Sequence, residues 1–185
     1  ICDPGEDLVT FVKSSGLNVI CIPGPCAALT ALVSSGMASS RFTFEGFLPK
    51  KGKERQKILL EISKSERTVV LYESPHRIKK LLKELKEYCG GERKIHISRE
   101  LTKRFEENIN LNIENAIKFF EGREVIGEIT IVLKGKDRVK ETEFDENYLK
   151  KELEELINAG LSLSAASSYL AKKEKLTKSI IYNLY

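Results

Sequence analysis

Short apolar segments alternate with helical segments along the first 133 residues, and this alternation limits the possible folds more than any other feature. The run 17–22 (LNVICI) predicts a buried strand of a parallel sheet. Further strands are predicted at 42–47, 67–72, 94–98 and 128–133, with an exposed strand or loop at 108–113. Helices are predicted at 4–15, 26–35, 53–64, 75–88 and 114–121. This order is typical of an α/β fold.

The strand signals stop near residue 141, and three helices are predicted beyond it at 145–158, 162–173 and 177–185. The stretch 49–52 (PKKG) has the composition of a linker. We therefore predict three parts: the remainder of an N-terminal α/β domain (1–49), a second α/β domain (50–140) and a helical C-terminal extension (141–185). Because residue 1 is Ile and the chain opens within a strand-to-loop junction, we expect it to be part of a longer protein.

The composition is that of a folded, water-soluble chain, with 41% hydrophobic and 31% charged residues. No apolar run approaches the roughly 18 residues of a membrane span, so we expect a cytoplasmic protein. The four cysteines form no CxxC pair and only two histidines are present, so we expect reduced thiols and no metal site. The net charge of +4 does not by itself identify a nucleic-acid partner.

Two loops rich in Gly and Pro, 3–5 (DPG) and 23–25 (PGP), each follow an apolar segment and each open a helix. In α/β proteins such loops, at the carboxyl ends of neighbouring strands, usually border a ligand crevice. The alternative is that Pro and Gly only turn the chain there. The two loops alone leave both interpretations open.

Six strings in order carry a more specific signal: CDPG (2–5), IPGPCAALTAL (22–32), FEGFLP (44–49), YESPHR (72–77), SRELTK (98–103) and GEITIVL (127–133). Together they resemble the ribosomal RNA small subunit methyltransferase I family, the 16S rRNA (cytidine-2′-O)-methyltransferases of the tetrapyrrole methylase superfamily. The resemblance implies a two-domain tetrapyrrole-methylase-like α/β fold, S-adenosylmethionine as cofactor, and a homodimer. It also implies further βα units before residue 1, including a Gly-rich cofactor loop.

The same resemblance implies a cofactor site in the cleft between the two α/β domains. The DPG loop and the start of the second helix would contact S-adenosylmethionine, and later strands would supply the cleft wall. The residues so implied are Asp3, Pro4, Gly5, Cys26, Ala27, Tyr72, Leu101, Ile129 and Thr130.

Methylation of a ribose hydroxyl calls for a proton acceptor, because the hydroxyl is a poor nucleophile. Glu73 and Glu100 are the candidates, since each follows a predicted strand and each has a cation close in sequence, Arg77 or Arg99. Glu128 is a weaker third candidate. The alternative for each Glu–Arg neighbour is a structural ion pair.

Clusters of basic residues predict contact with RNA phosphates. Residues 50–57 contain five cations against one glutamate, and the last helices have a spacing that resembles a helix-turn-helix. The alternative for any one cluster is a solvated lysine face. The predicted RNA-binding residues are Lys50, Lys51, Lys53, Arg55, Arg77, Arg99, Lys103, Lys172 and Lys173.

Two other functions compete with rRNA methylation. A tetrapyrrole C-methyltransferase would share the fold and cofactor, but YESPHR, SRELTK and the helical extension favour the ribosomal branch. A non-catalytic RNA- or DNA-binding module would explain the basic helices and leave the Pro-Gly loops unexplained.

Overall fold

A computed structural model describes residues 2, 4–137, 145–174 and 176–185 of the chain. It divides into two compact units, Ile1–Asp137 and Arg138–Tyr185. The predicted domain boundary near residue 50 stays a prediction.

The first unit contains five helices and five strands among its described residues. They are α1 (Glu6–Ser14), α2 (Ala27–Ser34), β1 (Phe42–Phe47), α3 (Lys53–Lys64), β2 (Thr68–Glu73), α4 (Ile78–Cys89), β3 (Lys94–Arg99), β4 (Glu107–Asn112), α5 (Ile113–Phe120) and β5 (Ile129–Leu133).

The strands form one sheet in the order β1-β2-β5-β3-β4, and the predicted α/β fold class is confirmed. β1 and β2 are parallel, whereas β5 runs antiparallel to both β2 and β3, and β4 runs antiparallel to β3. The carboxyl ends of β1, β2 and β3 therefore lie at the same edge as the amino ends of β4 and β5. We call this edge the cleft edge.

The sheet separates two apolar layers because successive residues of a strand point to opposite faces. On one face, Val69 and Leu71 pack with residues of α3, α4 and α5 in the largest buried cluster. On the other face, Val70 and Val132 pack against α2. The spacing of four apolar residues in the sequence places them on one face of α4, and all four are fully buried: Ile78, Leu81, Leu82 and Leu85.

A buried polar cluster lies on the α2 face of β3 and β4. The His96 ring contacts Asn110 Oδ1 through Nδ1 (2.9 Å) and Ser98 Oγ through Nε2 (2.8 Å). The Ser98 hydroxyl donates to Asn108 Oδ1 (2.7 Å). Burial lowers the pKa of His96 below its ordinary value, although hydrogen bonds to the two asparagines oppose the shift. The fold therefore favours the neutral imidazole.

Arg93 ties together the edge of the sheet opposite the cleft edge. Its guanidinium donates to the main-chain carbonyls of Lys134 (2.7 Å), Ser63 (2.9 Å), Ser65 (3.0 Å) and Ile62 (3.4 Å). One side chain thus links the end of α3, the start of β3 and the end of β5. These four carbonyl acceptors explain why the charged Arg93 side chain is half-buried.

The prediction of a buried strand at 17–22 is wrong for this structure. Residues 17–22 have no strand conformation, and Leu17, Ile20 and Ile22 are exposed. A strand requires a neighbouring strand to pair its N–H and C=O groups, and no described residue pairs with this segment. The helix α1 beside it also buries none of its residues, and it begins at Glu6 rather than at Pro4 as predicted.

The second unit consists of three helices among its described residues, α6 (Glu146–Asn158), α7 (Leu163–Glu174) and α8 (Lys178–Tyr182). Asp145 begins α6 by accepting hydrogen bonds from the N–H groups of Asn147 and Tyr148. Leu149, Leu170 and Ile181, one from each helix, share a buried cluster. The predicted helical extension is confirmed, although α8 ends three residues earlier than predicted.

Candidate active-site cleft

A cavity of about 580 Å³ opens at the cleft edge of the first unit. Its walls come from the ends of β1 and β2, the start of β5 and the start of α2, which are the elements that the strand directions bring to this edge. The lining residues are Cys2, Ala27, Phe47, Tyr72, Glu73, Ser74, Pro75, Gly127, Glu128, Ile129 and Thr130. The cavity therefore joins segments far apart in sequence.

Tyr72 connects the sheet to α2. Its hydroxyl accepts a hydrogen bond from the Ala28 N–H (3.1 Å), and its ring contacts Phe44 and Phe47 with centroid distances of 5.0 and 5.6 Å. Burial is the largest influence on this hydroxyl and raises the pKa of Tyr72, while the Ala28 hydrogen bond opposes that shift. Tyr72 thus stays neutral and fixes the first turn of α2 beside the cavity.

Glu73 is a buried carboxylate at the end of β2, with a side chain that is 0% exposed. Its Oε1 accepts from the Ser74 N–H (2.8 Å) and from Arg77 Nε (2.6 Å). Arg77 also donates to the Leu48 carbonyl (3.3 Å), so the guanidinium is fixed at both ends. Among the described residues, Glu73 Oε2 has no hydrogen-bond partner. A buried acceptor without a partner is rare in native proteins, and among the described residues of the cleft Glu73 Oε2 is such an atom.

Glu100 lies in a different environment. Its Oε1 accepts from the Glu128 N–H (2.9 Å) and from Lys103 Nζ (2.9 Å), and the same ammonium reaches Glu128 Oε2 (3.0 Å). The hydrogen bond from Glu128 is the main cause that lowers the pKa of Glu100, and Lys103 acts in the same direction. Glu100 therefore remains ionised and holds two loops together.

The backbone around Glu100 is strained. Glu100 and Thr102 both have positive φ angles, 53° and 65°, which side chains other than Gly adopt at a cost of about 1–3 kcal/mol. Gly127 lies opposite with φ of 96°, and a Cβ added there would stand 2.4 Å from Glu100 Cγ. Only Gly leaves room for the Glu100 side chain at this point of the cleft.

The structure brings most of the predicted cofactor residues together. Ala27, Tyr72, Ile129 and Thr130 line the cavity, while Cys26 and Leu101 pack in the apolar cluster that contains Tyr72. Pro4 and Gly5 precede α1 and are not among the described residues that line the cavity. Asp3 lies outside the described residues.

Several lining residues were not predicted: Cys2, Phe47, Ser74, Pro75 and Gly127. Each lies inside one of the six strings, so those strings did carry a signal for them. The sequence did not reveal that β1 pairs with β2 and β2 with β5, which places these strings side by side.

Predicted RNA-binding residues of the first unit fall into two groups. Lys50, Lys51 and Lys53 are exposed just after β1, at the cleft edge. The other cations are held by acceptors of the protein: Arg77 by Glu73, Arg99 by Glu107 and the Ile126 carbonyl, and Lys103 by Glu100 and Glu128.

The prediction that Arg55 binds RNA is wrong. It is only 4% exposed, and its guanidinium binds Glu84 through Nε and Nη2 and donates to the Pro49 carbonyl (2.8 Å). A guanidinium enclosed in this way cannot reach a phosphate backbone, so Arg55 is a structural residue that ties α3 to α4.

In the second unit, Lys172 is exposed, and Lys173 forms an ion pair with Glu152 (2.5 Å). α7 and α8 pack on each other through Leu170 and Ile181, as the predicted helix-turn-helix requires. Within the described part of the chain, no helix is long and apolar enough to cross a membrane, and no group of His, Cys, Asp and Glu side chains could hold a metal ion.

Comparison with known proteins identifies the family of this chain. Residues 1–117 match the family described as Tetrapyrrole (Corrin/Porphyrin) Methylases, and the chain belongs to that family. Within it, the chain is 40% identical over 184 residues to the Ribosomal RNA small subunit methyltransferase I of Synechocystis sp., and 38% identical over 184 residues to that of Vibrio cholerae. The resemblance inferred from the six strings is confirmed.

The alignments cover 100% and 98% of this chain and span 66% and 63% of those two relatives. A solved structure of uroporphyrin-III C-methyltransferase from Thermus thermophilus has the same fold, with a TM-score of 0.52 and 16% identity over 72% of this chain and 59% of that one. Another structure of that enzyme, complexed with S-adenyl homocysteine, has a TM-score of 0.50 and 16% identity over 71% of this chain and 60% of that one.

Proposed function

We propose that this protein transfers a methyl group from S-adenosylmethionine to the 2′-hydroxyl of a cytidine ribose in 16S rRNA. The observation that carries the proposal is the cleft, where a buried carboxylate with an unpartnered oxygen among the described residues, Glu73 Oε2, lines a cavity of about 580 Å³. The names of the sequence relatives support rRNA as the class of substrate.

The cavity fits the proposed cofactor in size and chemistry. Its volume lies within the roughly 300–1,000 Å³ of ordinary ligand pockets. Ala27, Phe47 and Ile129 supply an apolar wall, and Thr130 and Glu73 supply polar groups. When bound, the cofactor would provide an electrophilic methyl group on a sulfonium centre whose charge is lost in the transfer. A partly apolar wall suits a reaction in which charge disappears.

Glu73 is the proposed proton acceptor. Arg77 and the Ser74 N–H hold Oε1 and fix the carboxylate. Oε2 is buried in the free protein, and it would take the proton of the ribose hydroxyl after substrate binding exposes it. Glu100 is less suited to that role because its lowered pKa makes it a weaker base. We assign Glu100 to positioning of the loop that follows β3.

The proposed RNA surface begins at the cleft edge with Lys50, Lys51 and Lys53, which are exposed and follow β1 directly. These lysines would bind phosphates on either side of the target nucleotide and contribute affinity without sequence specificity. Arg77, Arg99 and Lys103 instead orient residues of the cleft, since protein carboxylates already hold them. Lys172 of the second unit is exposed and would add a phosphate contact, and Lys173 could do so only by giving up its ion pair with Glu152.

Two further properties follow from the resemblance. We propose that the protein acts in the cytoplasm, where small ribosomal subunits are found, and that it is a homodimer. Light scattering after size-exclusion chromatography measures the mass in solution, and a monomer at micromolar concentration would contradict the second statement.

Methyl transfer from labelled S-adenosylmethionine to undermethylated small subunits tests the function. We expect label in 16S rRNA, and protection of one cytidine position from alkaline cleavage, because a 2′-O-methyl group removes the attacking hydroxyl. Calorimetry tests cofactor binding separately. Label on a tetrapyrrole instead of rRNA would replace the proposed substrate, whereas absence of cofactor binding would remove the proposed activity.

A further inference from the structure

The loop between β3 and β4, residues 100–106, carries an exposed aromatic side chain, and we call this segment the rim loop. Phe105 is 65% exposed, and the Arg104 guanidinium lies 5.6 Å from the centroid of its ring. A single exposed apolar side chain is normal on a protein surface, so it is the combination of this ring with a neighbouring guanidinium that distinguishes the rim loop.

The rim loop is held in one conformation despite its exposure. The Glu100 N–H donates to the Glu128 carbonyl (3.0 Å), and the Lys103 N–H donates to the Glu100 carbonyl (2.9 Å). The Thr102 N–H donates to Glu106 Oε2 (2.7 Å), and the Glu106 N–H donates to the Lys103 carbonyl (3.1 Å). A ring presented by a fixed loop loses little conformational entropy when it binds a ligand.

The base of the rim loop touches the cavity wall. Glu100 contacts both Gly127 and Glu128, which line the cavity, and Leu101 packs in the cluster that contains Tyr72. Phe105 therefore belongs to a loop that starts at the site of the proposed methyl transfer.

The rim loop is neutral overall, with Glu100 and Glu106 against Lys103 and Arg104. Glu100 and Glu128 hold Lys103, whereas among the described residues Arg104 forms no hydrogen bond or ion pair, and its guanidinium lies over the Phe105 ring. A free guanidinium next to an exposed ring matches the arrangement by which proteins hold single-stranded RNA, with a base on the ring and a phosphate on the cation.

We propose that Phe105 is a stacking residue for a nucleobase of single-stranded RNA at the mouth of the cleft, with Arg104 binding the adjacent phosphate. The inference rests on the proposed function, because it identifies how that site would take hold of its RNA. Stacking is tolerant of base identity, so Phe105 would contribute affinity and alignment rather than the choice of cytidine.

The absence of tryptophan from the chain allows a direct test. The F105W variant has a single tryptophan on the rim loop, and we expect its fluorescence to be quenched on titration with a cytidine-containing single-stranded RNA nonamer. The control is F11W, since Phe11 lies on α1 and is 69% exposed, close to Phe105. Quenching of F11W equal to that of F105W, or no quenching of F105W, would overturn the inference.

Kinetics supply the second readout. Stacking contributes about 1–3 kcal/mol per base, so we expect F105A and F105L to lower kcat/KM for small subunits by about 5- to 150-fold. F105Y keeps a π-face and should stay within about threefold of the unsubstituted protein. Cofactor affinity, measured by calorimetry, should not change in any of them.

The two proposals fail in different ways. If the unsubstituted protein methylates rRNA and F105A keeps its kcat/KM, stacking by Phe105 is refuted and the proposed function stands. If no methyl transfer occurs but RNA quenches F105W selectively, the proposed function fails and the RNA-stacking role stands. Circular dichroism checks that the variants are folded. If F105A is not folded, the fluorescence of F105W decides whether Phe105 stacks on RNA.

Discussion

Replacing Glu73 by glutamine removes one negative charge from the cleft and changes almost nothing else. Gln has the same shape, and its Oε1 can still accept from the Ser74 N–H and from Arg77, which lie 2.8 and 2.6 Å from the Glu73 oxygen. The amide nitrogen would take the place of Oε2, which has no partner among the described residues. The substitution therefore separates proton acceptance from the structural role of the side chain.

The expected effect on rate is much larger than that on stability. General-base catalysis contributes about 10²–10⁴-fold, so we expect E73Q to lower kcat by that amount and leave cofactor affinity unchanged. The Arg77–Glu73 ion pair becomes a hydrogen bond from a charged guanidinium to a neutral amide oxygen, which lowers the free energy of unfolding by about 1–3 kcal/mol.

Single-turnover methyl transfer to small subunits measures the rate, and urea unfolding followed by circular dichroism measures stability. The control is E114Q, because Glu114 also pairs with a cation (Lys86, 2.6 Å) but lies at the opposite edge of the sheet. We expect E114Q to retain full activity. A rate for E73Q within fivefold of the unsubstituted protein would refute the assignment, and a large loss in E100Q alone would transfer the role to Glu100.

Three further predictions concern stability, each measured by urea unfolding. G127A should lower the free energy of unfolding by about 1–3 kcal/mol, because its φ is positive and its Cβ meets Glu100; G90A, which has positive φ but nothing within 4 Å of the new Cβ, should cost less, and equal costs would argue against the clash. R93Q should cost about 2–4 kcal/mol because four main-chain carbonyls lose a charged donor, and a change below about 0.5 kcal/mol would show that water replaces it. Burial lowers the pKa of His96, so below about pH 6.5 the unfolded chain takes up a proton that the folded protein resists, and the free energy of unfolding should fall as the pH drops through that range. H96Q should weaken this pH dependence. An unchanged slope of unfolding free energy against pH in H96Q would refute the prediction.

Much of the first unit could be predicted from local sequence. The stripe Ile78, Leu81, Leu82 and Leu85 has the spacing of one helix face, and these residues are buried. The position of Glu73 after a predicted strand placed it correctly at the cleft edge. Both inferences depend on periodicity or on the end of one element, which neighbouring residues determine.

Other features depended on partners distant in sequence. Arg55 is one of several cations in 50–57, and only its contact with Glu84, 29 residues away, distinguishes it from the exposed lysines. The run 17–22 has the composition of a buried strand but is exposed, since no described strand lies beside it. Composition gives a segment a preference for strand conformation, but the strand forms only where a neighbouring strand can hydrogen-bond to it.

By itself, the sequence determined the order of helices and strands from residue 26 onward, the apolar face of α4, and the family, because these depend on local patterns and on strings of adjacent residues. The tertiary structure alone decided that β5 lies between β2 and β3, which brings Glu73, Gly127 and Glu128 to one cavity. It also decided that Glu84, 29 residues away, holds Arg55, and that one oxygen of Glu73 is left without a partner among the described residues. These properties arise from contacts between residues far apart in the chain, so no local pattern contains them.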